Sequence, residues 1–561
     1  MKELPQNFSV SEKDAINSSH AQSRRSFMKN SAGMAAAVSF MGASKTWGGA
    51  DERIGAQNPS AIEGATSVAV KSASPAGSSP GVELKWAVDE WDPGRPFLLW
   101  GEPLRVQPIL MYAVAQPKKA ASWRSWGGVL SEETAAEEVE RISKDLRSLS
   151  ENAEFPLEIL PPKKVKSTEE AGEALKSDHD VVLVYPASGS GGLLQACVPS
   201  EGDAIIFVRH RSGPIYYWYE ALSVAYLNTD GKERRGGAPP RLGKTHVDDV
   251  VVDEYQDVLW RLRALYGVKN LTRARIIALG GVWGKYADDA PQIAREKHQL
   301  EIIEISYDEV ARRIQSAMAD QDRVLRAETW TDTYLSLPHT SLKTDRPFVV
   351  NAFLLYGIFK DLMRENRAPA FTIKGCMTTI LPISRTTACL SLSLLNDEGL
   401  LAFCESDFVI IPAGILLRHI SGKPVFLHNS TFPHKGIVTC AHCSAPRRMD
   451  GRNYEPTTIL THEESDYGAA PKVEIPIGQE VTFIDPEYTT GRWVGIRGNV
   501  EDNPFYPICR SQQDVRIQGN WKKLIGEARD SHWMMAYGDY LNEVGYAARK
   551  MGIRWENISD V

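Results

Sequence analysis

The sequence is poor in cysteine, with seven residues in 561. So sparse and odd a set is not the framework of a disulfide-stapled fold. Cys440-Ala-His-Cys443 has the C-x-x-C spacing, but no second pair lies at zinc-ribbon distance, and no His follows Cys443 as haem attachment requires. The apolar residues before it, from Gly436, read instead as a buried strand end. An excess of one charge is also missing. A formal charge of −7 with 43% hydrophobic residues is an ordinary globular balance. Without a basic stripe, a nucleic-acid partner is not expected. There is no H-E-x-x-H zinc motif, and Leu279-Gly-Gly-Val-Trp-Gly-Lys285 is neither a dinucleotide fingerprint nor a phosphate loop. No internal repeat is visible.

What is present begins with a leader. Ser23-Arg24-Arg25-Ser26-Phe27-Met28-Lys29 matches the twin-arginine export pattern, and a weakly apolar run follows from Ser31 to Ala43. That run is far short of the roughly 20 residues that span a bilayer, so no stable membrane anchor is expected. Small residues at Gly48-Gly49-Ala50 suit cleavage, with Ala43 a second position for it. Residues 1–50 therefore read as a signal for the twin-arginine machinery and an exported, periplasmic destination. Residues 51–92, rich in Ala, Ser, Gly and Pro, read as a linker.

From about residue 93 the pattern is α/β. Short continuous apolar runs between helical stretches indicate parallel strands buried on both faces. In the first unit, 93–240, Ile109–Val114, Asp180–Pro186 and Ala204–Val208 read as strands, and Glu132–Leu149 as a helix. In the second, 241–370, Tyr255–Tyr266, Ala311–Ala319 and Phe348–Arg367 read as helices, and Arg275 begins a strand that enters a glycine turn. The third, 371–561, holds an apolar helix at Phe408–Ile420. Its short strand candidates are Pro424–Leu427, Gly436–Thr439, Val481–Ile484 and Trp493–Arg497, which make a β-rich layer.

Several places carry chemistry. Cys404-Glu405-Ser406-Asp407 sets two carboxylates in an apolar stretch, where burial is costly unless they are paired, protonated or bound to a cation. At i and i+2 of an extended segment they share a face, and at the mouth of a parallel strand that face looks into the ligand crevice. Such oxygen ligands suit Mn²⁺ or Mg²⁺. The residues leave a second reading open, in which Ser406 or Asp407 caps the helix beginning near Phe408. His532 and His442 are each a lone histidine in an apolar setting, a candidate ligand or a satisfied core residue. Val208-Arg209-His210-Arg211-Ser212-Gly213-Pro214, followed by Tyr216, Tyr217, Trp218 and Tyr219, joins cationic donors to aromatic faces. That combination suits a polyhydroxylated ligand or, equally, an aromatic core face.

The order of these motifs is similar to that of the L-fucose isomerase-like proteins, relatives of the L-fucose and L-arabinose isomerases. The likeness rests on Ser393-Leu-Leu-Asn-Asp-Glu-Gly399, Cys404–Asp407, Leu417-Arg-His-Ile-Ser-Gly-Lys-Pro-Val-Phe426, Ala441-His-Cys443 and His532-Trp-Met-Met-Ala-Tyr-Gly-Asp539. It runs over most of 95–555 and is strongest from 390 to 443. The resemblance implies two Rossmann-like parallel-sheet domains followed by an α+β domain with an antiparallel β-barrel. It implies aldose–ketose isomerisation of a small sugar through an enediol, with a divalent metal, typically Mn²⁺, and a homo-oligomer. Asp407 and His532 match the family's metal-binding Asp and His, with Glu405 a further ligand or base. Glu405 and Asp407 would be the catalytic carboxylates, and Arg209, His210, Trp218 and His442 would contact the sugar. One departure stands out. After Ile373-Lys374-Gly375 the family's metal-binding Glu falls, by spacing, on Thr378, whose neutral hydroxyl is neither an anionic ligand nor a base near neutral pH. Glu405 or Glu398 would have to replace it. Epimerisation through the same enediol, and sugar binding without catalysis, are the alternatives on the same scaffold.

Overall fold

The computed structural model describes residues 90–560 apart from 217–221, 224–225, 230–241, 488–490 and 529. The expected signal, nearly all of the linker and Trp218 lie outside the described residues. None of the described helices is long and apolar enough to cross a membrane.

The first parallel sheet is built around Leu104–Met111. Leu157–Ile159 and Lys163–Val165 pair with one side of that strand, and Val181–Pro186, Asp203–Val208 and Val250–Val252 continue from the other. The sheet therefore extends past residue 240, the expected end of the first unit. The helix Glu132–Glu151 covers one face. Ser131 caps it, its hydroxyl accepting from Thr134 N at 3.2 Å. Ala135, Glu138, Ile142, Leu146 and Leu149 are its buried stripe, at spacings of three and four residues. Each of the three large apolar side chains contributes about 1.5–3 kcal/mol by leaving water. Glu138 is the acid in that stripe. The Tyr216 hydroxyl donates to it at 2.5 Å, and the Arg209 guanidinium lies 3.0 Å away.

The second sheet is also parallel, in the order Leu401–Cys404, Ala370–Ile373, Arg275–Leu279, Glu301–Ile305. It takes two of its four strands from residues on or beyond the expected 370/371 boundary, so that boundary cuts through a continuous sheet. Gly280 and Gly281, at φ 80° and 96°, turn the chain at the end of Arg275–Leu279. A Cβ on Gly280 would fall 2.2 Å from the Tyr307 ring, so only glycine fits the turn.

The expected β-rich layer is a closed antiparallel barrel of six strands. Going round, they are Glu480–Pro486, His532–Tyr537, Phe426–Ser430, Ile437–His442, Ser511–Ile517 and Arg492–Asp502, and the last pairs back with the first. A seventh strand, Arg554–Asn557, pairs in parallel with the start of Arg492–Asp502 outside the ring. Phe426, Val438, Cys440, Phe483, Val494, Trp533 and Met535 fill the interior. The helix Ile411–Ser421, buried at every residue, packs between the barrel strand His532–Tyr537 and the helix Tyr255–Leu271. A small sheet of Tyr467–Val473, Thr457–His462 and Thr340–Leu342 completes the described fold. The architecture is mixed α/β with two parallel sheets and a C-terminal barrel.

Candidate metal centre

Three strands of the second sheet end side by side, at Leu279, Ile373 and Cys404. Ligands of open α/β sheets collect outside such carboxyl ends. Here the chain after Cys404 does not continue extended. Glu405 and Ser406 both adopt left-handed backbone, at φ 67° and 53°. For residues with a Cβ this costs of the order of 1–3 kcal/mol each, so the surroundings must hold it. Ser406 N donates to Thr372 Oγ1 at 3.1 Å, Trp283 N donates to Ser406 O at 3.2 Å, and Phe408 N donates to Trp283 O at 2.9 Å. The neighbouring strand, through Thr372, and the glycine turn one strand further on thus clamp the strained segment.

The barrel rim supplies the other side. Asn429 pairs with Ala441 on one neighbouring strand and with His532 on the other. That register brings His442, at the end of its strand, to the same rim as His532, at the start of its own. Both rings are buried, and their centroids lie 6.4 Å apart. The Glu405 carboxylate reaches between them. Oε1 is 3.6 Å from His442 Nε2, and Oε2 is 3.4 Å from His532 Nε2. Glu405, His442 and His532 offer three ligand atoms within 4.8 Å of one another, a set that could hold a metal ion.

The chemistry of this donor set fits a cation. Each imidazole is oriented through its other nitrogen. His442 Nδ1 is 3.2 Å from Ser444 Oγ, and His532 Nδ1 is 2.7 Å from Asp407 Oδ2. A histidine that donates Nδ1–H to a carboxylate presents its Nε2 lone pair, the arrangement metal-binding histidines use. Burial pushes the Glu405 carboxyl up, but the hydrogen bond from His442 and the positive surroundings of His442, His532 and Lys285 outweigh it and hold the pKa at about 2. Glu405 is therefore an anion near neutral pH. Lys285 Nζ lies 3.3 Å from His532 Nε2 and shares the lone pair a cation would take.

Asp407, expected as a direct ligand, stands one bond behind the cluster. Its Oδ2 meets His532, while Oδ1 accepts from Lys285 N at 3.0 Å and Val409 N at 3.1 Å. The cause is the left-handed pair before it, which breaks the alternation that would have put residues 405 and 407 on one face. The capping alternative holds only in part. Asp407 binds Val409 N, but the cap of Ile411–Ser421 is Ile410, with no side-chain bond. His442, expected to touch sugar, is instead in the cluster.

Arg209 and His210 are not brought here. The Arg209 guanidinium is buried between Glu138 and Asp145, 3.0 Å from each, and lies against Tyr255. It serves the first sheet rather than a ligand. His210 follows it, and its N–H donates to Asp253 Oδ1 at 2.7 Å. Glu398 is likewise placed elsewhere, in a buried pair with Lys360 at 2.8 Å and beside the Tyr356 hydroxyl.

The cluster opens on a cavity of about 300 Å³, at the lower end of small-molecule sites. Trp283, Lys374, Thr378, Glu405, His442, His462 and Glu464 line it, together with five of the seven cysteines. The C-x-x-C pair points apart. Cys440 lies in the barrel core and Cys443 against Cys389 and Cys509. Thr378 is exposed on the cavity wall, its hydroxyl donating to Gly375 O at 3.2 Å. Sequence reasoning missed His462, which carried no motif. No protein-family model matches this chain, and no curated protein matches it.

Proposed function

We propose that this chain is a divalent-metal-dependent enzyme acting on a small sugar, with aldose–ketose isomerisation as its reaction, Mn²⁺ as its metal and the two parallel sheets as Rossmann-like domains. The observation that carries the reading is the convergence of Glu405, His442 and His532, the first two of which line a cavity of sugar size. The order of motifs from residue 390 to 443 and at 532–539 supports the same reading. Two imidazoles and a carboxylate suit zinc and iron as well as manganese, so the ion has to be measured. When bound, a divalent cation supplies Lewis-acid stabilisation of negative charge developing on adjacent substrate oxygens.

The chain's own residues do the rest. His442 and His532 hold the cation through Nε2, and Asp407 fixes the His532 ring. Glu405 adds the compensating charge, and Trp283 offers an apolar face to the sugar ring. Export by the twin-arginine route and assembly into a homo-oligomer belong to the same proposal. A second reading, sugar binding without turnover, is favoured by Thr378, which puts a neutral hydroxyl where the resemblance leads one to expect an acid.

The test begins with metal content of the purified protein and its thermal stability with added Mn²⁺. Protein that carries no metal and gains no stability would count against the enzyme. The second step is incubation with pentoses and 6-deoxyhexoses in deuterated water. Deuterium at C2 is the expected result, and its absence with every sugar leaves only the binding reading.

A further inference from the structure

His462 ends the strand Thr457–His462, where its pairing with Tyr467–Val473 slips register between Leu460 and His462. A bulge of this kind turns a side chain out of the regular alternation, and bulges recur beside active sites. Here it sends the imidazole to the wall of the cavity that Glu405, His442 and Thr378 also line. The residue is only 7% exposed, yet its Nδ1 has no hydrogen-bond partner. Leaving a buried polar atom unpaired is costly, and on a cavity wall a bound ligand can supply the missing partner.

The segment is held firmly. Asp466 N donates to His462 O at 2.9 Å, and Thr461 Oγ1 donates to Asp466 Oδ1 at 2.9 Å. Arg510 Nε donates to Thr461 O at 2.6 Å, and its guanidinium pairs with Glu463. Arg510 is thus a positioning residue for the turn. Glu464, two residues on, lines the same cavity.

We propose that His462 is the base that moves the substrate proton at this site, in the role that Thr378 cannot fill. The inference rests on the isomerase reading above. In the step, an imidazole lone pair takes the proton from C2 of the aldose. The C2–H electron pair becomes the C1–C2 double bond, and the carbonyl pair moves onto O1. The O2 proton passes to O1, the imidazolium exchanges its proton with water and delivers one to C1, or in reverse to C2, and O2 becomes the ketose carbonyl. One carbon is oxidised as its neighbour is reduced, so no outside oxidant is required. Burial holds the His462 imidazole below its ordinary pKa, so the ring is neutral near pH 7 and able to accept. The Glu464 carboxylate stabilises the imidazolium that follows.

The test compares the unsubstituted protein with His462→Gln in two measurements, Mn²⁺ affinity by calorimetry and C2 deuterium exchange. The expected result is an affinity within about threefold of the unsubstituted protein and exchange slower by about 10²–10⁴-fold. Exchange at the original rate overturns the proposal. So does a parallel collapse of Mn²⁺ affinity, which would make His462 part of the metal's support. No exchange in the unsubstituted protein overturns the isomerase reading itself and the role of His462 with it. Should His462→Gln fail to fold, His462→Ala with and without free imidazole carries the same question. Rescue by imidazole supports the role, and no rescue overturns it.

Discussion

Asp407→Asn separates a metal ligand from a residue that orients one. Asparagine has the volume of aspartate and can keep Oδ1 on Lys285 N and Val409 N, now at 3.0 and 3.1 Å. Its amide then faces His532 Nδ1, where Oδ2 lies at 2.7 Å. A donor now meets a donor, so the imidazole must move its proton to Nε2 and withdraw the lone pair meant for the cation. Outer partners of metal-binding histidines are typically worth 10–100-fold in affinity. At 1.36 kcal/mol per tenfold that is about 1.4–2.7 kcal/mol. It matches the roughly 1.5–3 kcal/mol of a hydrogen bond to a charged group. Calorimetric titration with Mn²⁺ should show that loss, while His532→Ala, a lost ligand, should abolish measurable binding. If Asp407→Asn binds as tightly as the unsubstituted protein, the orientation argument is wrong. If it behaves like His532→Ala, Asp407 is itself a ligand.

Lys285→Met removes an ammonium 3.3 Å from His532 Nε2. A cation bound there escapes the repulsion of that ammonium, about 4 kcal/mol per unit of charge at about 4 Å and an effective dielectric near 20, so Mn²⁺ affinity should rise by at least about tenfold; unchanged or weaker binding in the same titration would contradict this. Arg209→Met leaves the buried Glu138 with Arg141 as its one remaining guanidinium, 3.2 Å from Oε2, and should cost about 3 kcal/mol in urea unfolding, with Mn²⁺ affinity unchanged. A variant of original stability would refute the structural role. Asp397 is fully buried, and burial raises its carboxyl to about 7 against the bonds from Arg447 N and Arg448 N. With the folded pKa above the unfolded value near 3.8, the native state binds the extra proton. Stability should therefore fall as pH rises from about 4 to 7, by up to about 1.4 kcal/mol per unit from this group. Asp397→Asn should flatten that slope when urea midpoints are measured in EDTA. It will not remove it, because Glu455 is raised to about 7 in the same way, and an identical slope would sink the assignment.

Much of the frame was legible because its signals are local. Val181–Pro186 and Asp203–Val208 are continuous apolar runs, and Glu132–Glu151 carries a period that any amphipathic helix shows. The short C-terminal strands announced β structure and formed a barrel. The domain edges were not legible, since hydrogen bonding between Ala370–Ile373 and Leu401–Cys404 is a property of the sheet and leaves no mark at residue 371. Arg209 bears out the core-face alternative rather than the sugar contact that the resemblance implies, for a similar reason. An Arg-His beside aromatics looks like a ligand site until Glu138 and Asp145, contributed by a helix far back in the chain, are seen to enclose it.

The site turns on the same distinction between local and distant cause. Counting residues puts Glu405 and Asp407 on one face, and composition says that both need a cation or a partner. Both statements hold only while the backbone stays extended. Two consecutive left-handed residues cost energy that no propensity would assign to Glu-Ser, and the clamp that sustains them comes from Thr372 and Trp283 on other segments. The result divides the labour of two acids that look equivalent in the sequence. Glu405 faces the cavity as the anion of the cluster, and Asp407 turns inward to set the tautomer of His532. The strain is then an argument for function rather than an accident. A relaxed turn would be more stable, but it would return both carboxylates to one face and leave His532 without the partner that frees its Nε2.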